Sequence, residues 1–197
     1  MSELTGNIVL CGFMGCGKTS VGKRLARVMD RPFVDLDQYI EERQGLTVRE
    51  IFARDGEEGF RRLETRAVEE IAKKGGMVVA CGGGTVLFPR NVRAFRRAGS
   101  VILLLDVPLP LLHARLKNDT RRPLLQVEDR DAVIDKLYRE RIWKYRRAAD
   151  VRVRSTQPPW VMARRIAAMA QEGFPKPPAP ARHKPRRRAG SKGGDQK

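Results

Sequence analysis

The chain has 197 residues and a formal net charge of +17, from 40 Lys and Arg against 23 Asp and Glu. With 41% hydrophobic and 32% charged residues, the composition is typical of a globular domain and excludes a fully disordered chain or a membrane bundle. A basic excess of this size is often found in proteins that bind a polyanion. Whether it indicates such a partner here depends on how the charge is distributed along the chain.

Short apolar runs alternate with longer amphipathic segments along the chain. The apolar runs predict five strands, at residues 8–11, 32–35, 77–80, 101–106 and 151–153. The amphipathic segments predict helices at residues 18–29, 38–43, 48–54, 57–73, 109–116, 130–148 and 160–171. Strands alternating with helices predict a three-layer α/β fold, in which a parallel sheet is covered by helices on both faces.

The two ends of the chain and its cysteines narrow the class of protein further. The N-terminus lacks the features of a secretory signal, and no apolar run approaches the roughly 20 residues of a membrane helix. Cys11, Cys16 and Cys81 have no zinc-ligand spacing, so we expect free thiols and a cytoplasmic protein.

The C-terminal residues 175–197 differ from the rest of the chain in composition. Eight Lys or Arg against one Asp give them +7 of the total charge, which leaves +10 for residues 1–174. Their many prolines and arginines predict a disordered tail, to which weak, salt-sensitive binding of a polyanion could be assigned. We therefore expect one folded domain over residues 1–174.

A phosphate-binding loop is the most specific motif of the sequence. Residues 12–19 match G-x-x-x-x-G-K-[ST], follow a predicted strand and lead into a predicted helix. Backbone N–H groups of such a loop surround phosphate oxygens, and the helix N-terminus adds positive potential. Lys18 is expected to reach the β- and γ-phosphates, and the Thr19 hydroxyl to bind Mg²⁺. The motif predicts a nucleoside triphosphate but leaves the phosphate acceptor open.

Two carboxylates follow the second predicted strand, where ligands of open parallel sheets bind. Alternation in an extended segment would point Asp35 and Asp37 the same way. Asp35 could then serve Mg²⁺, while Asp37 positions the attacking hydroxyl and accepts its proton. Alternatively, Asp37 is the N-cap of a helix that begins at Gln38.

Further residues suit an anionic acceptor. Three consecutive glycines, Gly82 to Gly84, follow the third strand and favour close approach of a ligand to the backbone, although a flexible turn is the alternative. Arg61 or Arg62 could hold a carboxylate, or could belong to a solvated helix face.

A polar segment at about residues 117–130 is the candidate for a mobile lid. It contains Arg121 and Arg122, and an arginine that closes over a γ-phosphate neutralises charge in the transition state. A basic surface loop is the alternative.

Taken together, these motifs resemble the shikimate kinase family over about residues 7–171. The shared features are the phosphate loop, the Asp-x-Asp pair, Asp-Gly-Glu with Phe-Arg-x-x-Glu, the triple glycine, Arg-Pro-Leu-Leu and Arg-x-x-x-Tyr with Ala-Asp. The resemblance implies a nucleoside-monophosphate-kinase-like P-loop fold with a five-stranded parallel sheet. It also implies ATP-dependent phosphorylation of the 3-hydroxyl of shikimate in chorismate and aromatic amino acid biosynthesis, by a monomeric enzyme.

The resemblance also assigns roles to residues of this chain. It implies ATP contacts from Gly15, Cys16, Gly17, Lys18, Thr19, Ser20, Arg115, Arg122 and Gln157. It implies shikimate contacts from Asp37, Arg61, Gly82, Gly83 and Arg141. Asp37, Lys18 and Arg122 would be the catalytic residues, and Thr19 with Asp35 would bind Mg²⁺.

The chain departs from the family pattern in one motif and leaves alternatives open. The family usually reads Arg-x-Pro-Leu-Tyr where this chain has Trp143 and Lys144 in place of Pro and Leu. A straighter helix around Arg141 is therefore expected. A gluconate kinase, an adenylate-kinase-like enzyme and a basic nucleic-acid-binding P-loop protein are the competing interpretations.

Overall fold

The computed structural model describes residues 5–117, 119 and 125–174. Five strands form one sheet in the order β2-β3-β1-β4-β5, and every neighbouring pair is parallel. The strands are β1 Ile8–Cys11, β2 Phe33–Asp35, β3 Val78–Ala80, β4 Val101–Asp106 and β5 Val151–Arg154. The predicted parallel α/β fold is thus confirmed.

Helices flank the sheet. Within the described residues they are α1 Lys18–Val28, α2 Leu36–Gln44, α3 Val48–Lys74, α4 Pro89–Arg97, α5 Leu109–Leu116, α6 Arg130–Ala148 and α7 Pro159–Glu172, with a 3-10 turn at Thr85–Leu87. Helix α1 packs against α7, α3 packs against α2 and α4, and α5 packs against α6. None of the described helices combines the length and the apolar character needed to cross a membrane.

The core lies on both faces of the central strands. Every residue of β1 and of β3 is buried, although successive side chains of a strand point to opposite faces. The sheet is therefore covered on both sides, as expected for a parallel sheet. At the edge, β5 alternates between buried Val151 and Val153 and exposed Arg152 and Arg154.

Among the described residues, one helix, α4, was not predicted from the sequence. Its nine residues include four arginines and few apolar residues, and Val92 with Phe95 supplies its buried apolar face. A proline at its first turn and Gly99 shortly after its end are typical helix boundary signals that could have revealed it.

The predicted start of α2 was wrong: the helix begins at Leu36 and not at Gln38. The helices predicted at 48–54 and 57–73 are confirmed as the two parts of α3, which are separated by a kink at Gly56, where φ is 67°. This left-handed backbone conformation strongly favours glycine and explains that residue in the Asp-Gly-Glu motif.

Candidate active site

The sheet order brings three predicted site segments to one edge. Because β3 lies between β1 and β2, the carboxyl ends of these parallel strands are neighbours. In the register, Ala80 of β3 pairs with Leu10 of β1 and with Asp35 of β2. The phosphate loop, the aspartates and the glycine segment therefore begin side by side, where open parallel sheets bind ligands.

The phosphate loop has a backbone that turns inward. Gly12, Gly15 and Gly17 have φ values of 138°, 75° and 97°, which favour glycine. Gly17, the N-cap residue of α1, has no side chain that could cap the helix. The N–H groups of the first turn are therefore available to bind an anion. The Lys18 Nζ donates to the carbonyl oxygens of Gly12 at 3.0 Å and Phe13 at 3.2 Å, which holds it over the loop.

Thr19 and Asp35 form the candidate metal pair. The Thr19 hydroxyl donates to Oδ2 of Asp35 at 2.8 Å, although the two residues belong to different elements. Hydroxyl and carboxylate oxygens are ligands that suit Mg²⁺, which keeps several waters and is usually completed by substrate phosphates. The residues present therefore fit the predicted Mg²⁺ site.

Asp37 occupies a different local structure from the expected one. It lies in the first turn of α2, and Asp35 stands at the N-cap position, so neither the extended segment nor the N-cap role predicted for Asp37 is correct. The burial of the Asp37 carboxyl, followed by the negative charges of Asp35 and Glu64, raises its pKa to about 6, while Lys18 acts in the opposite direction. Despite this different local structure, the Asp37 carboxylate lies against Gly82 of the glycine segment.

Two glycines of the triplet, Gly82 and Gly84, leave no room for a side chain, whereas Gly83 does. A Cβ on Gly82 would collide with Oδ1 of Asp37, and a Cβ on Gly84 would stand 2.5 Å from Nη1 of Arg61. A Cβ on Gly83 would have no atom within 4 Å. The triplet thus lies against a carboxylate at Gly82 and a guanidinium at Gly84, and the position of a Cβ on Gly83 is open.

The structure distinguishes Arg61 from Arg62. The Arg61 side chain is 17% exposed, and its guanidinium lies over the rings of Phe60 and Phe88 at 5.3 and 5.1 Å. Arg62 is 59% exposed and pairs with Glu58, which is 88% exposed. Arg61 is therefore the arginine that faces the glycine segment, and Arg62 belongs to the solvated helix face.

Glu64 holds Arg61, a role that the sequence analysis did not assign. The buried Glu64 carboxylate accepts from Nη1 of Arg61 at 3.1 Å and from the Thr85 hydroxyl at 2.7 Å. The Thr85 carbonyl in turn accepts from Nδ2 of the buried Asn91 at 3.0 Å. In the sequence, the available signal was the spacing alone, a Glu three residues after an arginine on a predicted helix.

A cavity of about 370 Å³ lies beside the phosphate loop. Arg115 borders it and donates to the carbonyl oxygens of Gly15, Cys16 and Ser155, each at 3.4 Å. The cavity is lined by Gly15, Cys16, Gly17, Ser20, Val21, Arg115, Ser155, Thr156, Gln157, Pro158 and Pro159. The predicted ATP residues Arg115 and Gln157 thus come together with the loop, and the segment after β5 extends the predicted set.

Two further predicted arginines have different outcomes. Arg141 is half-buried on α6, which runs without interruption past Trp143, so the straighter helix expected from the missing proline is present. Arg122 lies outside the described residues, as do Arg121 and part of the predicted lid. Its role therefore stays a prediction.

Known proteins match the chain over most of its length. The family model for shikimate kinase matches residues 14–171. The chain belongs to the shikimate kinase family. Shikimate kinase of Aromatoleum aromaticum is 46% identical over 144 residues, covering 73% of this chain and 82% of the relative. Shikimate kinase of Synechococcus elongatus is 41% identical over 162 residues, covering 81% and 84%.

Solved structures agree with this membership. Shikimate kinase from Acinetobacter baumannii in complex with shikimate matches with a TM-score of 0.79 and 34% identity, over 86% of this chain and 95% of that chain. A gluconokinase from Sinorhizobium meliloti matches with a TM-score of 0.55 and 18% identity, over 87% and 94%. The second likeness shows the fold alone and adds nothing to the gluconate kinase interpretation.

Proposed function

We propose that this member of the shikimate kinase family transfers the γ-phosphoryl group of ATP to the 3-hydroxyl of shikimate, giving shikimate 3-phosphate and ADP for chorismate biosynthesis. The observation that supports it best is the glycine triplet, with Asp37 against Gly82, Arg61 against Gly84 and open space at Gly83. An acceptor with a carboxylate at one end and hydroxyls at the other fits between such groups. The family membership and the relative solved with shikimate point to the same acceptor.

We assign the acceptor's carboxylate to Arg61 and Arg141. Arg61 is held by Glu64 and Glu57 at 3.1 and 3.2 Å, so its guanidinium is oriented before the substrate binds. A guanidinium offers parallel N–H donors that match the two oxygens of a carboxylate. Asp37 receives the hydroxyls, and the Gly82–Gly83 backbone lines the space between.

The ATP side follows from the phosphate loop and the adjoining cavity. The N–H groups of residues 15–20 and the Lys18 ammonium surround the phosphates. Arg115 and Gln157 border the cavity, which we assign to the adenosine. Arg122 of the predicted lid (117–130) would neutralise charge on the γ-phosphate.

Thr19 and Asp35 are the residues that would hold Mg²⁺. When bound, Mg²⁺ would neutralise the negative charge that develops on the phosphate oxygens during transfer. The Thr19 hydroxyl and the Asp35 carboxylate already meet at 2.8 Å, so both oxygens lie at the loop.

Asp37 acts on the attacking hydroxyl. Its carboxylate accepts the hydrogen bond of the 3-hydroxyl and thereby aims the oxygen at the γ-phosphorus. As the new oxygen–phosphorus bond forms, the bond to the β-phosphate oxygen breaks, ADP leaves and the proton passes to Asp37. Lys18 stabilises the negative charge on the transferring phosphoryl group.

Other expectations remain proposals. We assign residues 1–174 to the kinase domain, supported by the family match to residue 171 and by the end of α7 at Glu172. Residues 175–197 lie outside that match and the described residues, and their deletion is expected to leave turnover unchanged. Three buried free cysteines are compatible with a cytoplasmic location, and a monomer is the proposed state.

The test is ADP release with Mg-ATP in the presence of shikimate or, separately, gluconate. Lys18→Ala enzyme, prepared in the same way, controls for contaminating ATPases. We expect ADP release that depends on shikimate and is lost in the variant. Release that depends on gluconate but not on shikimate would overturn the assignment.

A further inference from the structure

A buried tyrosine on α6 contacts the acceptor side of the site. Tyr145 is 1% exposed, and its hydroxyl donates to the carbonyl oxygen of Gly83 at 2.6 Å. This hydrogen bond joins two segments that are 62 residues apart in the sequence. It connects α6 directly to the glycine segment.

The orientation of the Gly83 peptide depends on a contact of this kind. Glycine restricts its backbone less than any other residue, so three consecutive glycines do not fix the orientation of their peptides by themselves. The neighbouring Gly82 and Gly84 pack against Asp37 and Arg61, respectively. A rotation of the Gly83 peptide would therefore change the space that separates the proposed hydroxyl-binding and carboxylate-binding groups.

Arg141 stands on the same side of α6 as Tyr145. The two residues are four apart on an uninterrupted helix, which makes their side chains neighbours. Burial raises the pKa of Tyr145, and the Arg141 guanidinium is close enough to act in the opposite direction. The hydrogen bond of Tyr145 thus also restrains the turn of α6 on which Arg141 lies.

We propose that Tyr145 is a positioning residue for the acceptor: its hydroxyl fixes the Gly83 peptide and holds the Arg141 turn of α6 beside it. Because its side chain is buried, it acts through these two groups and not by direct contact with the reacting atoms. The inference rests on the proposed function and extends it by one residue.

Tyr145→Phe removes the hydroxyl and keeps the ring. The KM for shikimate should rise about three- to tenfold, as expected when one buried hydrogen bond is lost. The kcat should stay within about twofold and the KM for ATP should not change, because the phosphate loop and the cavity beside it are untouched. Tyr138→Phe is the matched control, since it removes a hydroxyl from the same helix two turns earlier, and its KM for shikimate should equal that of the wild type.

The measurement remains informative if Tyr145→Phe is less stable. A smaller folded fraction lowers the apparent kcat but leaves KM unchanged, because KM does not depend on the concentration of active enzyme. An unchanged KM for shikimate, or an equal rise in the KM values for shikimate and ATP, would overturn the inference. A wild-type enzyme without shikimate-dependent activity would overturn the proposed function instead, and this inference with it.

Discussion

The Asp37 carboxylate lies so close to Gly82 that a Cβ on this residue would collide with its Oδ1 atom. The contact joins the first turn of α2 to the segment after β3. A side chain at Gly82 can enter only if Asp37 moves, and Asp37 is the residue to which we assign the attacking hydroxyl.

Gly82→Ala should therefore reduce kcat strongly. We expect a loss of about 100-fold or more, the size associated with a misplaced general base. Steady-state kinetics with shikimate and Mg-ATP measure the effect. A kcat within threefold of the wild type would show that Asp37 is not held by this contact.

Gly83→Ala provides the comparison. Its Cβ would meet no atom within 4 Å and its φ is not in the left-handed region, so the thermal midpoint should stay near that of the wild type. The methyl group would project into the open space assigned to the acceptor, and the KM for shikimate should rise. Loss of stability without a change in that KM would contradict the assignment of this space.

Glu64→Gln tests the support of Arg61. The buried carboxylate accepts from Arg61 and Thr85, and the neutral amide cannot balance the guanidinium. We expect the KM for shikimate to rise more than tenfold, consistent with a loss of about 1.5–3 kcal/mol for a charged hydrogen bond. Glu57→Gln is the control: Glu57 also pairs with Arg61, but its side chain is 68% exposed, so little change is expected. Equal effects of the two substitutions would refute the distinction.

Thr19→Val tests the metal pair. It removes the hydroxyl that meets Asp35, whereas Thr19→Ser keeps one. The Mg²⁺ concentration for half-maximal activity should rise about tenfold or more in the Val variant, since even outer-shell changes at metal sites cost this much. In the Ser variant it should stay near the wild-type value. A Val variant with an unaltered Mg²⁺ dependence would rule Thr19 out as a ligand.

His113 predicts a pH dependence of stability. Its Nδ1 and Nε2 lie 2.8 Å from carboxylate oxygens of Asp131 and Asp135 on α6, and a ring that donates to both must be protonated. These hydrogen bonds, that of Asp135 first, raise the pKa of His113. The stabilisation should be complete below the unfolded value of about 6.5 and should be lost as pH rises through the folded-state pKa.

Thermal midpoints from pH 6 to 9 check this prediction. The difference between the wild type and His113→Gln should be largest at pH 6 and should shrink toward pH 9. His183→Gln, which changes the other histidine of the chain, should follow the wild type. A difference that grows with pH would contradict the protonated link between α5 and α6.

The sequence predicted the parts of the fold and of the site that depend on local patterns. The phosphate loop has fixed spacing and a defined context, and the apolar runs of a doubly covered sheet are continuous, so β1, β4, α5 and α6 were predicted with their observed bounds. Helix α4 was missed because four of its nine residues are arginines and only Val92 and Phe95 provide a buried apolar face.

What escaped prediction depends on contacts between distant segments. Arg61 and Arg62 are adjacent and chemically identical, and burial between Phe60 and Phe88 distinguishes them. The role of Tyr145 depends on Gly83, and no sequence period links the two. Helix α2 likewise begins at Leu36 because Asp35 is its N-cap residue at the end of β2, and local helix propensity does not reveal this boundary.

The most direct test of the proposed activity is to identify the product by ³¹P NMR after incubation with Mg-ATP and shikimate. Stoichiometric ADP and a single new phosphomonoester, coupled to the proton at C3 of shikimate, are expected. Phosphate on another hydroxyl would contradict the placement of the 3-hydroxyl at Asp37. Inorganic phosphate with unmodified shikimate would contradict the assigned reaction.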